Sequence, residues 1–234
     1  MPNPKTPDAR LLSAVRYLRP GAAVADIGTD HAYLPVHLVR AGLAERALAC
    51  DIRRGPLSSA EKNIREVGLS GRIETLLTDG LHGVEKYAPD HILIFGMGGE
   101  LIAKILSEAE WIKTPAVRLI LQPMSRAEVL RRYLAASGFS ILGESLSRAD
   151  GRIYQTICAE WAGTPTDPAP IDCFVGKKEL QTDLPLYKEL IEQRIRTLKK
   201  IVRGKENAKE EDATADRDLL AALSARLEEL GGAQ

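Results

Sequence analysis

From about residue 22, short apolar runs alternate with amphipathic stretches along the chain. The runs at 22–27, 47–52, 73–78, 91–95 and 117–122 are five or six residues long and mostly apolar. They lack the polar alternation of a half-exposed strand, so they predict strands buried on both faces. Between them, 35–41, 57–67, 100–109 and 127–137 carry apolar residues at helical spacing, and Gly42, Gly68 and Gly138 follow helical runs where left-handed caps are expected. Strand and helix in alternation predict a mostly parallel sheet covered on both sides.

Two more strand-like runs, 139–147 and 152–161, flank a turn at Gly151. They are too close in sequence for a crossover helix, so they must be antiparallel. A parallel sheet finished by such a hairpin fits a Rossmann-like class I methyltransferase fold of seven strands better than a dinucleotide-binding dehydrogenase, which usually adds a parallel sixth strand. The division expected is a cofactor-binding catalytic domain over 1–161, a linker rich in Pro, Thr, Gly and Asp within 162–176, and a helical hairpin over 177–234. In that hairpin, Leu186, Leu190, Ile191, Ile195, Leu198, Ile201 and Val202 mark one helix and Leu219, Leu220, Leu223, Leu227 and Leu230 the other. A polar stretch at 204–212 joins them into an antiparallel coiled coil.

Composition adds limits more than assignments. Lysine plus arginine number 32 and aspartate plus glutamate 32, so no global positive field announces a nucleic-acid partner. The balance is uneven within the hairpin: 177–209 hold ten basic against five acidic residues, while 210–230 hold seven acidic against two basic. Cys50, Cys158 and Cys173 are odd in number and widely spaced, which argues against a disulfide framework and against a metal site. The first twenty residues lack an apolar leader core, and no apolar run approaches the roughly 18 residues of a membrane span. A cytoplasmic protein with no membrane association is expected.

Chemistry concentrates where the strands end. The first strand closes on Asp26-Ile27-Gly28-Thr29-Asp30-His31, without the glycine spacing of a pyrophosphate cradle. Carboxylates there repel a diphosphate and attract an ammonium or sulfonium, which suits S-adenosylmethionine. Gly28 allows close backbone approach. Asp51, 25 residues after Asp26, stands where an acidic residue can take both ribose hydroxyls, although alone it reads equally well as a helix cap. Asp79, before Gly80, can accept from the adenine amine, with a surface turn as the competing explanation. Strand ends on one edge of a parallel sheet share a crevice, so the three acidic positions reinforce one another. After the fourth strand, Gly96-Met97-Gly98-Gly99 gives a backbone open to a methyl donor and a flat acceptor. The acid or amide followed by two prolines and an aromatic, common in enzymes that methylate exocyclic amines, is missing, which favours a ring nitrogen as acceptor.

Together, Asp26-Ile-Gly-Thr-Asp-His-Ala-Tyr-Leu-Pro35, Thr78-Asp-Gly-Leu81, Gly96-Met-Gly-Gly99 and Leu119-Ile-Leu-Gln-Pro123 resemble the bacterial tRNA adenine-N1 methyltransferases that act on adenine 22. The likeness spans nearly the whole chain. It implies S-adenosylmethionine as cofactor and tRNA as partner, with Arg10, Asp26, Gly28, Asp30, His31, Asp51, Ile52, Asp79, Gly80, Gly96, Met97, Gly98 and Gly99 around the cofactor. Asp30, His31, Met97, Gln122 and Pro123 would then lie nearest the reacting atoms. Met124 departs from the family, which has a polar residue such as Asn there, and Thr29 replaces a common Ser.

Adenine N1 has an in-plane lone pair and lies on the Watson–Crick edge, so the base must be extruded but needs no general base. Asp30 or His31 could stabilise the developing charge, though His31 reads as well as a packing or capping residue. Arg194, Arg196, Lys199, Lys200, Arg203 and Lys205 on the basic helix are the candidates for tRNA backbone contact. The chain is expected to be a monomer or a weak dimer. Rival readings are methyl transfer to another RNA or a small molecule, a non-catalytic S-adenosylmethionine-binding scaffold, and a dinucleotide oxidoreductase.

Overall fold

The computed structural model describes residues 8–208 and 212–231. A short α1 (Ala9–Leu12) leads into β1 (Ala22–Ile27), α2 (Tyr33–Arg40), β2 (Ala44–Asp51), α3 (Arg54–Glu66), β3 (Ile73–Leu77), β4 (His91–Met97), α4 (Gly99–Ser107), β5 (Arg118–Pro123) and α5 (Ala127–Ala136). The chain then forms β6 (Phe139–Ala149), β7 (Arg152–Trp161), α6 (Pro170–Val175), α7 (Leu184–Ala208) and α8 (Thr214–Gly231). Among these described helices none is long and apolar enough to cross a membrane.

The strands make one sheet in the order β3-β2-β1-β4-β5-β7-β6. Strands β1 to β5 pair in parallel, while β7 runs antiparallel to both β5 and β6. The expected closing hairpin is therefore present, with its second strand inserted between β5 and the first. Asp150 and Gly151 at its tip both have positive φ, 47° and 71°, the twist that tight hairpins require.

Every residue of β1 is buried, because its two faces feed two different cores. Ala25 and Ile27 pack with Ile92, Ile94, Ile102 and Leu106, whereas Ala22 and Val24 pack with Leu34, Leu38, Leu93 and Ile120. A side-chain period of two thus divides one apolar run between two helical layers. Observed boundaries differ from the expected ones by a few residues. Strand β2 starts earlier, at Ala44, where Glu45 and Arg46 are exposed and carry no apolar signal. Strand β4 continues to Met97 through an irregularity in its pairing with β5 between Phe95 and Met97.

The stretch read as a linker contains α6, whose Cys173 and Val175 are buried. A third core joins Val175 with Leu146 of β6 and with Tyr187, Leu190, Ile191, Ile195 and Leu198 of α7 and Leu223 of α8. The helical hairpin is thus seated on the last strands of the sheet. Its expected connection at 204–212 falls partly at 209–211, outside the described residues; α7 itself extends to Ala208.

A buried polar knot holds this junction. The Arg131 guanidinium of α5 donates to both Glu144 carboxylate oxygens at 3.0 and 2.6 Å, to Gln155 Oε1 at 2.9 Å and to the Cys173 carbonyl at 3.0 Å. Both charged side chains are 2% exposed. Gly176 passes so close that a Cβ there would sit 2.3 Å from Glu144 Oε2, at a φ of 82°. Arg131→Met should cost roughly 3–5 kcal/mol of unfolding free energy, because it strands the Glu144 charge. Adding Glu144→Met should restore most of that loss in urea denaturation.

Candidate functional site

The carboxyl ends of β1, β2, β3 and β4 open on one cavity of about 540 Å³. It lies at the point where the chain, having built outward from β1 to β3, crosses back to β4 on the other side, the usual position for a ligand crevice in an open α/β sheet. Of the sequence-predicted residues, Arg10, Asp26, Gly28, Asp30, Asp51, Ile52, Asp79, Gly80, Gly96 and Met97 stand on its wall. His31, Gly98, Gly99, Gln122 and Pro123 do not.

Asp26 is the most buried of the acids on this wall, 6% exposed near the end of β1. Burial pushes its carboxyl up to about 6; the Thr29 hydroxyl opposes the rise, and the Asp30 and Asp51 charges add to it. Asp51, also buried, accepts from the Arg53 backbone N–H at 2.7 Å through Oδ1, with the Arg53 guanidinium 3.6 Å from the same oxygen. Asp30 and Asp79 are exposed at the rim. Four carboxylates therefore face two guanidiniums, Arg10 and Arg53, across one space.

The loop after β1 has an unusual backbone. Gly28 at φ 79° and Thr29 both donate to the Cys50 carbonyl, at 2.9 and 2.8 Å, which pins the loop to β2. His31 and Ala32 then adopt left-handed conformations, φ 55° and 54°, each at some cost for a residue with a Cβ. Asn63 of α3 secures the turn, its amide donating to the His31 carbonyl at 2.9 Å. Sequence reading missed Asn63, since no local pattern signals a contact reaching back 32 residues. The His31 ring lies outside the wall, stacked on Tyr33 with centroids 5.4 Å apart and Nε2 3.3 Å from Asp30 Oδ1. Tyr33, Leu101 and Ile105 supply wall surface that the sequence reading had not assigned.

The glycines after β4 differ in what they do. A Cβ on Gly96, φ 79°, would meet nothing within 4 Å, so this backbone faces open space at the cavity wall. A Cβ on Gly98 would come 3.2 Å from Ser125 Oγ, and one on Gly99 would lie 2.2 Å from the Arg126 carbonyl oxygen. Gly99 serves the packing of α4 against the loop leading to α5, and its N–H donates to the Ser125 carbonyl at 2.8 Å. Gln122 likewise departs from the expected acceptor-side contact. It is completely buried and bonded to Arg10, Ser13 and Thr156. Pro123 beside it is buried at the end of β5.

The six candidate basic residues on α7 divide into two groups. Arg196, Lys199, Lys200 and Arg203 are exposed and border one shallow surface depression, as their spacing of three and four residues allows. Arg194 and Lys205 turn inward instead. The Arg194 guanidinium sits 5.2 Å from the centre of the Phe174 ring, where burial lowers its pKa, and Lys205 Nζ pairs with Asp216 Oδ2 of α8 at 3.0 Å.

A seven-stranded sheet with one reversed strand, and an acid-lined crevice at its carboxyl edge, define a Rossmann-like methyltransferase fold. A family model described as a methyltransferase domain matches residues 8–157, and the chain belongs to that family. Over 151 residues it is 39% identical to the tRNA (adenine(22)-N(1))-methyltransferase of Bacillus subtilis, a match that takes in 64% of this chain and 63% of that protein. The chain thus spans under two thirds of the length of that curated relative. In three dimensions it resembles the crystal structure of the B. subtilis m1A22 tRNA methyltransferase TrmK, with TM-score 0.76 and 31% identity over 95% of this chain and 96% of the other. It also resembles Streptococcus pneumoniae Sp1610 in complex with S-adenosyl-L-methionine, with TM-score 0.80 and 30% identity over 94% and 99% of the two chains.

Asp26 opposes folding when it is ionised. Its rise from 3.8 to about 6 corresponds to roughly 3 kcal/mol at pH 8, a cost that disappears as pH falls from about 6 to 4 and the buried carboxyl takes up its proton. Asp26→Asn should therefore raise the stability of the ligand-free chain at pH 8 and change it little at pH 4, as read by thermal melts at the two pH values.

Proposed function

We propose that the chain transfers the methyl group of S-adenosylmethionine to N1 of adenine 22 in tRNA, acting in the cytoplasm. The observation that carries this reading is the cluster of Asp26, Asp30, Asp51 and Asp79 on a single cavity wall, one of them buried against its own ionisation. A diphosphate would be repelled by that wall; a sulfonium bearing an ammonium relieves it. The relatives named above support the same cofactor and substrate.

When bound, the cofactor supplies an electrophilic methyl on a cationic sulfur. Asp26 and Asp30 provide the negative field that receives the positive end, and Asp51 offers its carboxylate to the ribose hydroxyls, held in place by the Arg53 N–H. Asp79 and Gly80 border the cavity beside it, where the adenine amine can be recognised. Gly96 leaves its side of the cavity free of side-chain bulk, so a flat base can approach its backbone. Adenine N1 has its own in-plane lone pair, so methyl transfer from the sulfonium, which would leave as a neutral thioether, would put the positive charge on the base, where the rim carboxylate of Asp30 would stabilise it. No side chain has to remove a proton, so positioning supplies most of the rate.

The exposed row of Arg196, Lys199, Lys200 and Arg203 is our candidate for the tRNA backbone, with 177–234 acting as an arm on the catalytic domain. Unmodified tRNA transcripts incubated with the chain and S-adenosylmethionine should yield 1-methyladenosine at position 22, read by nucleoside mass and position mapping. Methylation at another position, or none, overturns the reading. Replacing Lys199 and Lys200 together with Glu should weaken tRNA binding about tenfold and flatten its salt dependence while cofactor affinity stays unchanged.

A further inference from the structure

One side of the cavity is closed by the N-terminal segment, which contributes Arg10 and Leu11 to the wall. Helix α1 is four residues long and buries none of them fully, so its own helical bonds and packing place it poorly. The side chain that seats it comes from the middle of the sheet. Gln122, wholly buried on β5, donates through Nε2 to the Arg10 carbonyl at 3.0 Å and to Thr156 Oγ1 of β7 at 2.8 Å, with Ser13 Oγ 3.3 Å away. Its Oε1 accepts from Arg10 Nη1 at 3.4 Å. Ser13 donates to the Arg10 carbonyl at 2.6 Å, and the Ser13 and Thr156 hydroxyl oxygens are 2.6 Å apart.

These bonds form a closed ring with a consistent assignment of protons. Thr156 donates to Ser13, Ser13 donates to the Arg10 carbonyl, and the two Gln122 N–H groups go to Thr156 and to that same carbonyl, which has two lone pairs. Turning the amide over would set Oε1 against the Arg10 carbonyl oxygen and Nε2 against the Arg10 guanidinium. The ring therefore fixes both the backbone and the side chain of Arg10.

An acid-lined wall has a difficulty with any ligand that also carries a carboxylate. S-adenosylmethionine does, and on the described wall only Arg10 and Arg53 oppose that charge. The Arg53 side chain is 75% exposed and turned to Asp51. Arg10 is 21% exposed, with its guanidinium 5.6 Å from the centre of the Tyr154 ring, and Asp8 Oδ2 stands 3.7 Å from its Nε. It is the more buried and more extensively contacted cation, and it keeps donors to spare.

We propose that Gln122 is a positioning residue for the cofactor: through its ring with Ser13 and Thr156 it holds Arg10 at the cavity wall, where the guanidinium receives the carboxylate of S-adenosylmethionine. This rests on the cofactor reading above. It takes Gln122 out of contact with the acceptor base and makes its effect on catalysis indirect. Gln122→Met keeps the length of the side chain and removes all its bonds, and Thr156→Val breaks the ring from β7.

Calorimetric titration of S-adenosylmethionine into the full chain, paired with tRNA methylation kinetics and thermal melts, tests the proposal. Gln122→Met should weaken cofactor binding about tenfold, with kcat at saturating cofactor changed less than twofold, and Thr156→Val should weaken it about threefold. In an Arg10→Ala background, Gln122→Met should add less than a twofold loss, a coupling that general destabilisation does not produce. Fully additive losses, or a fall in kcat with affinity intact, overturn the proposal; if Gln122→Met does not fold, Thr156→Val measured with and without Arg10→Ala decides by the same criterion. An unmutated chain that fails to bind S-adenosylmethionine overturns the cofactor reading together with this proposal, whereas normal binding insensitive to both substitutions overturns this proposal alone.

Discussion

Desolvation of Asp26 at the carboxyl end of β1 is the constraint around which the site is built. A carboxylate that is 6% exposed, with Asp30 and Asp51 adding negative charge, raises the free energy of the folded chain. Few structural purposes are served by such an arrangement, because a buried aspartate placed for stability is normally met by a cation or by several N–H donors. The cost is recovered when a cation enters the cavity. Stability and ligand affinity are therefore opposed at this residue, as expected where a binding site is preorganised for a charge it does not itself contain.

The sheet order makes this concentration possible. Because β1 lies between β2 and β4, and β2 beside β3, their carboxyl ends stand side by side. The acids at 26, 51 and 79 come from three separate stretches of chain and meet only through parallel pairing. That convergence was legible in the sequence, since apolar runs set the strands and each acid closes one of them. Also legible were β1, at its observed bounds, and the reversed hairpin, because continuous burial and a tight turn leave direct traces in residue type. Gln122 and Gly99 were not. The motifs around them put Gln122 near the reacting atoms and Gly99 beside the cofactor, yet their contacts depend on what lies across space: Arg10 and Thr156 for one, the Arg126 backbone for the other. Sequence order carries no record of such contacts.

The same limit explains the basic helix. Counting charges along α7 finds a surplus but not its direction. Helical spacing separates Arg196, Lys199, Lys200 and Arg203, which face outward, from Arg194, which turns toward Phe174, and the pairing of α7 with α8 takes Lys205 into an ion pair with Asp216. The acidic character of α8 thus has a structural use at one point at least. Docking of both helices on β6 through Leu146 and the Arg131 knot fixes the orientation of the exposed row relative to the sheet. An arm anchored in this way can present phosphate contacts in a defined register, which a freely swinging one would have to order on binding at an entropic cost.

The proposed transfer to a ring nitrogen would place unusual weight on such fixed geometry. With no proton to abstract, an acid–base pair contributes nothing to the attack, and the barrier is lowered chiefly by holding nucleophile and methyl in line. Each device described here acts on position: Gly28 and Thr29 tie the first loop to the Cys50 carbonyl, Asn63 holds a turn that would relax if released, Gly99 lets α4 close on the neighbouring loop, and the ring around Gln122 seats the N-terminal wall. None of these groups needs a perturbed pKa to do so. The one residue whose pKa is strongly raised on the cavity wall as a carboxylate, Asp26, is there to meet a charge. A site with a single tuned acid and many fixed backbone contacts is what a reaction limited by alignment requires, and the hydrogen-bonded ring around Gln122 lies behind the cavity wall, since Gln122 is wholly buried and absent from the lining.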